Sequence, residues 1–224
     1  MNKKTIAFTI SMAMLFSFTA CAEKEKKEAD FGWGVLENGH YENEFFNFSM
    51  DISPDYTFLS PQEIVNMNTS PTLGEDGETV VAPVDIGTIE DLSLEALVSY
   101  VYATKYKEKP DDEFNPYISI FSENMKYVNN TYDKEDYVLN SLNFTRNIFS
   151  NAGVGVEVLP LEKLWLDGRQ FAKGVMRIQY EEFSMYQAMY AVTKGNYALV
   201  VLAGYSTDEE KAEIESFIDS IRID

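Results

Sequence analysis

From residue 46 the chain alternates. Phe46, Phe48, Met50 and Ile52 are apolar, and Asn47, Ser49 and Asp51 between them are polar. A period of two predicts a half-buried strand, which Pro54 ends. Ser60-Pro61-Gln62-Glu63 then places Ser at an N-cap, Pro at the first helical position and Glu three residues after the cap, the signature of a short helix. Residues 69–87 are rich in Gly, Pro and acid and predict an exposed insertion with a small hairpin at Asp76-Gly77. Val98 to Lys107, rich in Val, Tyr and Thr, reads as a strand. Pro110-Asp111-Asp112 is a turn signal, and Tyr117 to Phe121 is the returning strand. Asp133 opens a longer helix with acids in its first turn, where they complement the dipole. Tyr137, Val138, Leu142, Thr145, Ile148 and Phe149 form its buried side, and Gly153 is its stop.

The last third is densest in strand signals. Val154 to Leu166 is one stretch, Asp167-Gly168 a hairpin turn, and Phe171–Tyr180, Met185–Thr193 and Tyr197–Ala203 are three more strands. Gly195-Asn196 closes the last hairpin, which sets Met189 opposite Leu202 and Tyr190 opposite Val201. The Met185–Thr193 strand carries Met185, Met189 and Ala191 on one face and Tyr186, Tyr190 and Val192 on the other. A strand apolar on both faces must be covered on both. Thr207 caps a final helix whose buried stripe is Ile214, Phe217, Ile218 and Ile221. The fold class predicted is α+β: a mainly antiparallel sheet of about six strands with helices on both faces.

The amino terminus has a different grammar. Lys3 and Lys4 precede an apolar run, Ile6 to Ala20, of about fifteen residues. Crossing a ~30 Å hydrocarbon core takes about twenty, so the run reads as an export signal. It ends in Phe18-Thr19-Ala20-Cys21. This resembles the cleavage motif of bacterial lipoprotein precursors, a small residue followed by cysteine; Phe18 stands where that family usually has Leu or another aliphatic. The resemblance implies diacylglycerol on the Cys21 thiol, cleavage before it and acylation of the new amino group, with the protein held on the outer face of the cell membrane, or at an outer membrane if the cell has one. Residues 22–30 alternate in charge without apolar periodicity, as a solvated tether does. Gly32-Trp33-Gly34 reads as a flexible piece with one sticky ring. The division expected is 1–20 signal peptide, 21–39 tether, 40–224 one domain.

Two weaker resemblances concern the body. Tyr41, Asn43, Phe46 and Phe48, followed by a closing hairpin and a terminal helix ending at Ser220-Ile221, are similar to a broad group of envelope lipoproteins. The order of elements over 41–224 resembles the PsbP-like α/β/α sandwich, named for an extrinsic photosystem subunit. It brings no site residues, and implies a docking or assembly role.

Composition narrows the chemistry. The 224 residues carry a formal charge of −19, and the first twenty hold two lysines and no acid, so the remainder is more negative still. Such a surface repels nucleic-acid phosphates and anionic headgroups, so no nucleic-acid partner is expected. Cys21 is the sole cysteine and His40 the sole histidine. One chain can therefore form neither a disulfide nor a zinc site of several Cys and His ligands. His40 precedes the first strand and is expected to be exposed rather than part of a triad. The acidic clusters 75–78, 111–113 and 133–136 lack the spacing of a calcium loop and read as turns or a helix start. One grouping stands out on otherwise apolar strands. With a turn at 181–184, Arg177 lies opposite Ala188 and Gln179 opposite Tyr186, setting a cation, an amide and a phenol on one face. That set suits a polar or anionic ligand or a partner's carboxylate; the plain alternative has Arg177 paired with a helix acid at the sheet edge. The reading is a lipid-anchored extracytoplasmic binding or assembly protein with an envelope protein as partner, no cofactor, no metal and no catalytic residues. The alternatives are a small-molecule receptor with a pocket near Arg177 and a carboxylate-based envelope hydrolase.

Overall fold

The computed structural model describes residues 32–68, 72–73, 79–80, 97–108, 114–128, 133–180 and 183–223. Its centre is an eight-stranded antiparallel sheet. From one edge the strands are β10 (Glu162–Leu166), β11 (Arg169–Gln179), β12 (Ser184–Lys194), β13 (Tyr197–Tyr205), β8 (Tyr117–Asn124), β7 (Leu97–Thr104) and β4 (Thr57–Phe58), and β9 (Gly155–Val158) pairs with β11 alongside β10. A second antiparallel sheet runs β1 (Val35–Glu37), β2 (His40–Asn43), β3 (Phe48–Asp51) and β14 (Arg222–Ile223). β5 (Thr72–Leu73) and β6 (Thr79–Val80) pair as a small hairpin in the expected insertion; its Asp76-Gly77 turn lies outside the described residues.

The expectation of about six strands is thus too low. The strands missed are two to four residues long, too short to show a period, and the stretch predicted as one strand over 154–166 is two. The tether boundary at 39 also moves. Val35–Glu37 pairs with His40–Glu42, and the Trp33 ring packs edge-on against Tyr100 at 6.2 Å. Gly32 and Trp33 offer their carbonyls to the Asn43 amide and the Tyr41 hydroxyl. The folded body therefore begins by Gly32.

Both faces of the main sheet are covered, but differently. On one face lies α3 (Lys134–Asn151), whose Tyr137, Val138, Leu142 and Phe149 pack on Ala172, Met176, Met185, Met189, Ala191 and Val200. α1 (Pro61–Asn68) adds Ile64, and α2 (Met125–Val128) adds Met125. The α3 axis comes close because Gly174 of β11 lies beneath it: a Cβ there would stand 2.5 Å from Leu142 and Val138. On the other face, α4 (Asp208–Asp219) shares the cover with the second sheet. Ile214, Phe217 and Ile218 pack with Tyr41, Phe48 and Met50 on Val201, Ala203 and Tyr190. Helices on both faces therefore describes the body only loosely, since a sheet does half of one face's work.

The two faces of β12 are those its alternation predicts: Met185, Met189 and Ala191 join the α3 side, and Tyr186, Tyr190 and Val192 the α4 side. Met189 pairs with Leu202 and Tyr190 with Val201, as the Gly195-Asn196 turn requires. Asp167 and Gly168 both have positive φ, the two-residue turn that matches strand twist. Ser60 with Glu63 and Thr207 with Glu210 cap their helices reciprocally. The stretch 154–166 is not one strand. Pro160 interrupts it, and pairing along β11 shifts by one residue between Val158↔Met176 and Glu162↔Lys173, a β-bulge at the sheet edge.

Candidate functional site

Strand pairing brings the predicted row together. Arg177 of β11 lies opposite Tyr186 of β12, and Gln179 opposite Ser184. This corrects the expected register by two residues. The hairpin is tighter than a 181–184 turn allows: the Tyr180 N–H donates to the Phe183 carbonyl at 2.9 Å, and the two rings stack at 4.8 Å. Because side chains alternate with period two, a two-residue slip leaves Arg177, Gln179 and Tyr186 on their common face.

On that face a line of side chains crosses four strands. Glu157 of β9 lies opposite Arg177, Arg177 opposite Tyr186, and Tyr186 opposite Tyr205 of β13. The Tyr186 and Tyr205 rings stack with centroids 5.4 Å apart and planes 14° apart. Tyr205 is buried and Tyr186 half-buried. Burial, with Glu215, Tyr186, Glu162 and Asp208 nearby, pushes the Tyr205 hydroxyl up to about 12, so it stays protonated and able to donate.

Arg177 itself is half-buried. Its Nη2 donates to Ser184 Oγ at 3.3 Å, and its Nε is buried without a hydrogen-bond partner. Among the described residues it makes no ion pair, whereas Lys173 binds Glu162 at 3.1 Å and Lys211 approaches Glu215 at 3.9 Å. The plain alternative, a helix acid neutralising Arg177, is not what the fold provides. Its nearest acid by strand pairing is Glu157, on the edge strand. A half-buried guanidinium offers forked donors matched to a carboxylate or another planar anion. The row as a whole presents that cation, the exposed Gln179 amide and the half-buried Tyr186 phenol, with the buried Tyr205 stacked behind it, to whatever reaches the sheet there.

Tyr205, Ser184 and Glu157 are members that the sequence reading did not include. Tyr205 was within reach: extending the Met189–Leu202 pairing by three residues sets it opposite Tyr186. Glu157 was hidden by the bulge at Pro160, which changes the register of the edge strand.

Elsewhere, Cys21 and the acidic clusters 75–78 and 111–113 lie outside the described residues. Asp133 is the N-cap of α3, its carboxylate held below the usual range chiefly by the backbone N–H of Asp136. His40 is exposed and contacts Asp51 at 2.6 Å. Among the described residues no three His, Cys, Asp or Glu side chains gather as metal ligands. No helix among them is long and apolar enough to cross a membrane. One further ionisable pair is interior. Glu123 of β8 is 2 % exposed, accepts the Tyr137 hydroxyl at 2.7 Å through Oε2 and leaves Oε1 without a partner. Burial pushes this carboxyl up to about 7.

No protein-family model matches the chain, and no curated protein matches it. Among solved structures that resemble the chain in part are these three. The cyanobacterial PsbP, CyanoP, of Synechocystis is 9 % identical with a TM-score of 0.49, over 89 % of this chain and 98 % of that one. A Bacteroides thetaiotaomicron protein is 13 % identical with a TM-score of 0.41, over 84 % of this chain and 49 % of that one. LpqN, involved in cell envelope biogenesis in Mycobacterium tuberculosis, is 14 % identical with a TM-score of 0.35, over 58 % of this chain and 79 % of that one. No residue role passes from these proteins to this chain.

Proposed function

We propose that this is an extracytoplasmic binding protein, held to a membrane through a lipid on Cys21, which engages an envelope protein by accepting one of that protein's carboxylates on Arg177. The observation that carries the binding role is the half-buried Arg177 guanidinium, set beside the Tyr186–Tyr205 stack and making no ion pair among the described residues. Nε is enclosed, so a partner's carboxylate is met by the other guanidinium nitrogens, where a charge-assisted pair is stronger than a neutral hydrogen bond. The surrounding acids Glu157, Glu162, Asp208 and Glu215 repel a polyacidic partner and favour a basic surface carrying one inserted acid. Export, anchoring and the choice of an envelope partner rest on the Phe18–Cys21 motif.

The test places a photo-cross-linking residue at Gln179 in the full chain in intact cells. One recurrent adduct is expected. It should fall at least tenfold in R177Q, which removes the charge, and recover only in part in R177K, which keeps the charge but loses the fork. An adduct unchanged in R177Q overturns the carboxylate contact.

A further inference from the structure

The point where the chain leaves the folded body and the Arg177 row lie at opposite ends of the main sheet. Gly32 is bound by Asn43. Asn43 begins the turn that places Phe45 against Tyr197, at 5.5 Å, with the Lys194 ammonium on the Phe45 carbonyl. Trp33 sits at the same level, edge-on to Tyr100, whose hydroxyl contacts Ser122 at 2.6 Å. That end of the sheet carries the Gly195-Asn196 turn, where Lys194 pairs with Tyr197. Tyr186 and Tyr205 are the far ends of the same two strands, each eight residues away. At about 3.3 Å per residue the separation is about 26 Å.

The paired β1 strand leaves only residues 22–31 between Cys21 and the docked Gly32. A ten-residue linker has a root-mean-square span of about 18 Å as a random coil, less than the length of the strand that separates the two ends. The body is also strongly acidic, and an anionic membrane surface repels it rather than drawing it down flat.

From this geometry we propose that the body stands on its membrane end-on, with the Gly195-Asn196 turn toward the lipid and the Arg177–Tyr186–Tyr205 row turned outward. The row then meets a partner standing away from the anchoring bilayer and is held off that bilayer's headgroups. The inference rests on the lipid anchor proposed above.

Because Cys21 is the sole cysteine and is blocked by lipid in the mature protein, a single introduced thiol can be labelled alone. Full-length lipidated N196C and Q179C, both at exposed positions, are reconstituted in vesicles of phosphatidylcholine and phosphatidylglycerol carrying an acceptor dye on the headgroups. A maleimide donor reports energy transfer to the surface. With about 26 Å between the two levels, transfer from position 196 should be roughly twofold or more above that from position 179. Equal transfer, or more from position 179, overturns the end-on posture while leaving the anchor intact. Protein that does not float with the vesicles, and gives no transfer from either position, overturns the anchor itself.

Discussion

At the scale of single residues, Glu123 is the clearest source of a measurable effect. Its carboxyl is enclosed, has one hydrogen bond from Tyr137 and holds its proton up to about pH 7, against 4.5 for the free group. The unfolded chain ionises near 4.5 while the folded chain stays neutral, so folding stability is full below that pH, declines as pH rises toward 7, and is level above. In E123Q the side chain keeps an acceptor for Tyr137 and cannot ionise. Urea unfolding at pH 5 and pH 8 should show wild type losing stability on the order of a few kcal/mol between the two, and E123Q losing much less. Parallel losses in both proteins would refute the assignment. Nothing in the sequence marked Glu123. It lies two residues beyond Phe121, where the predicted strand ends, and the Tyr137 hydroxyl from α3 reaches it only in the folded chain. Arg177 is the opposite case. A cation on apolar strands is visible in one dimension, and only the absence of an ion pair to it among the described residues had to wait for three.

At the scale of elements, the sequence was legible where local rules decide. Caps, two-residue turns and faces of long strands came out as their chemistry dictates, because each is fixed within a few residues. Thr207 illustrates the size of such a term. Its hydroxyl accepts the Glu210 N–H at 3.2 Å, and Glu210 returns to the N–H groups of Thr207 and Ser206. T207A should lower stability by about 1 kcal/mol, read as a lower melting temperature with no change in the Arg177-dependent adduct. What was not legible is pairing between distant segments. The short strands β1, β4 and β14 exist because a partner strand is present, and Val35–Glu37 or Arg222–Ile223 alone carries no periodic signal. The hairpin after Gln179 is two residues shorter than a 181–184 turn, with Tyr180 stacked on Phe183 across it.

At the scale of the whole molecule, the proposed location rests on the first twenty-one residues and the proposed posture on the ten that follow. C21A should leave the body folded and move the protein from the membrane fraction to the soluble one, with loss of fatty-acid labelling; labelling retained in C21A would refute lipidation. A single acyl chain binds membranes only marginally, and further chains on the same residue make the attachment firm, so partial acylation should show as partial release. The second sheet adds a constraint in time. Ser220 Oγ accepts the N–H of Asp51, residues 169 apart in the chain, and β14 lies beside β3. In a chain synthesised from its amino terminus, this sheet has no fourth strand until residues 222–223 leave the ribosome. Phe48 and Met50 lack their final neighbours until then. The latch engages only once those residues are free, so this sheet closes after every other described strand has been made.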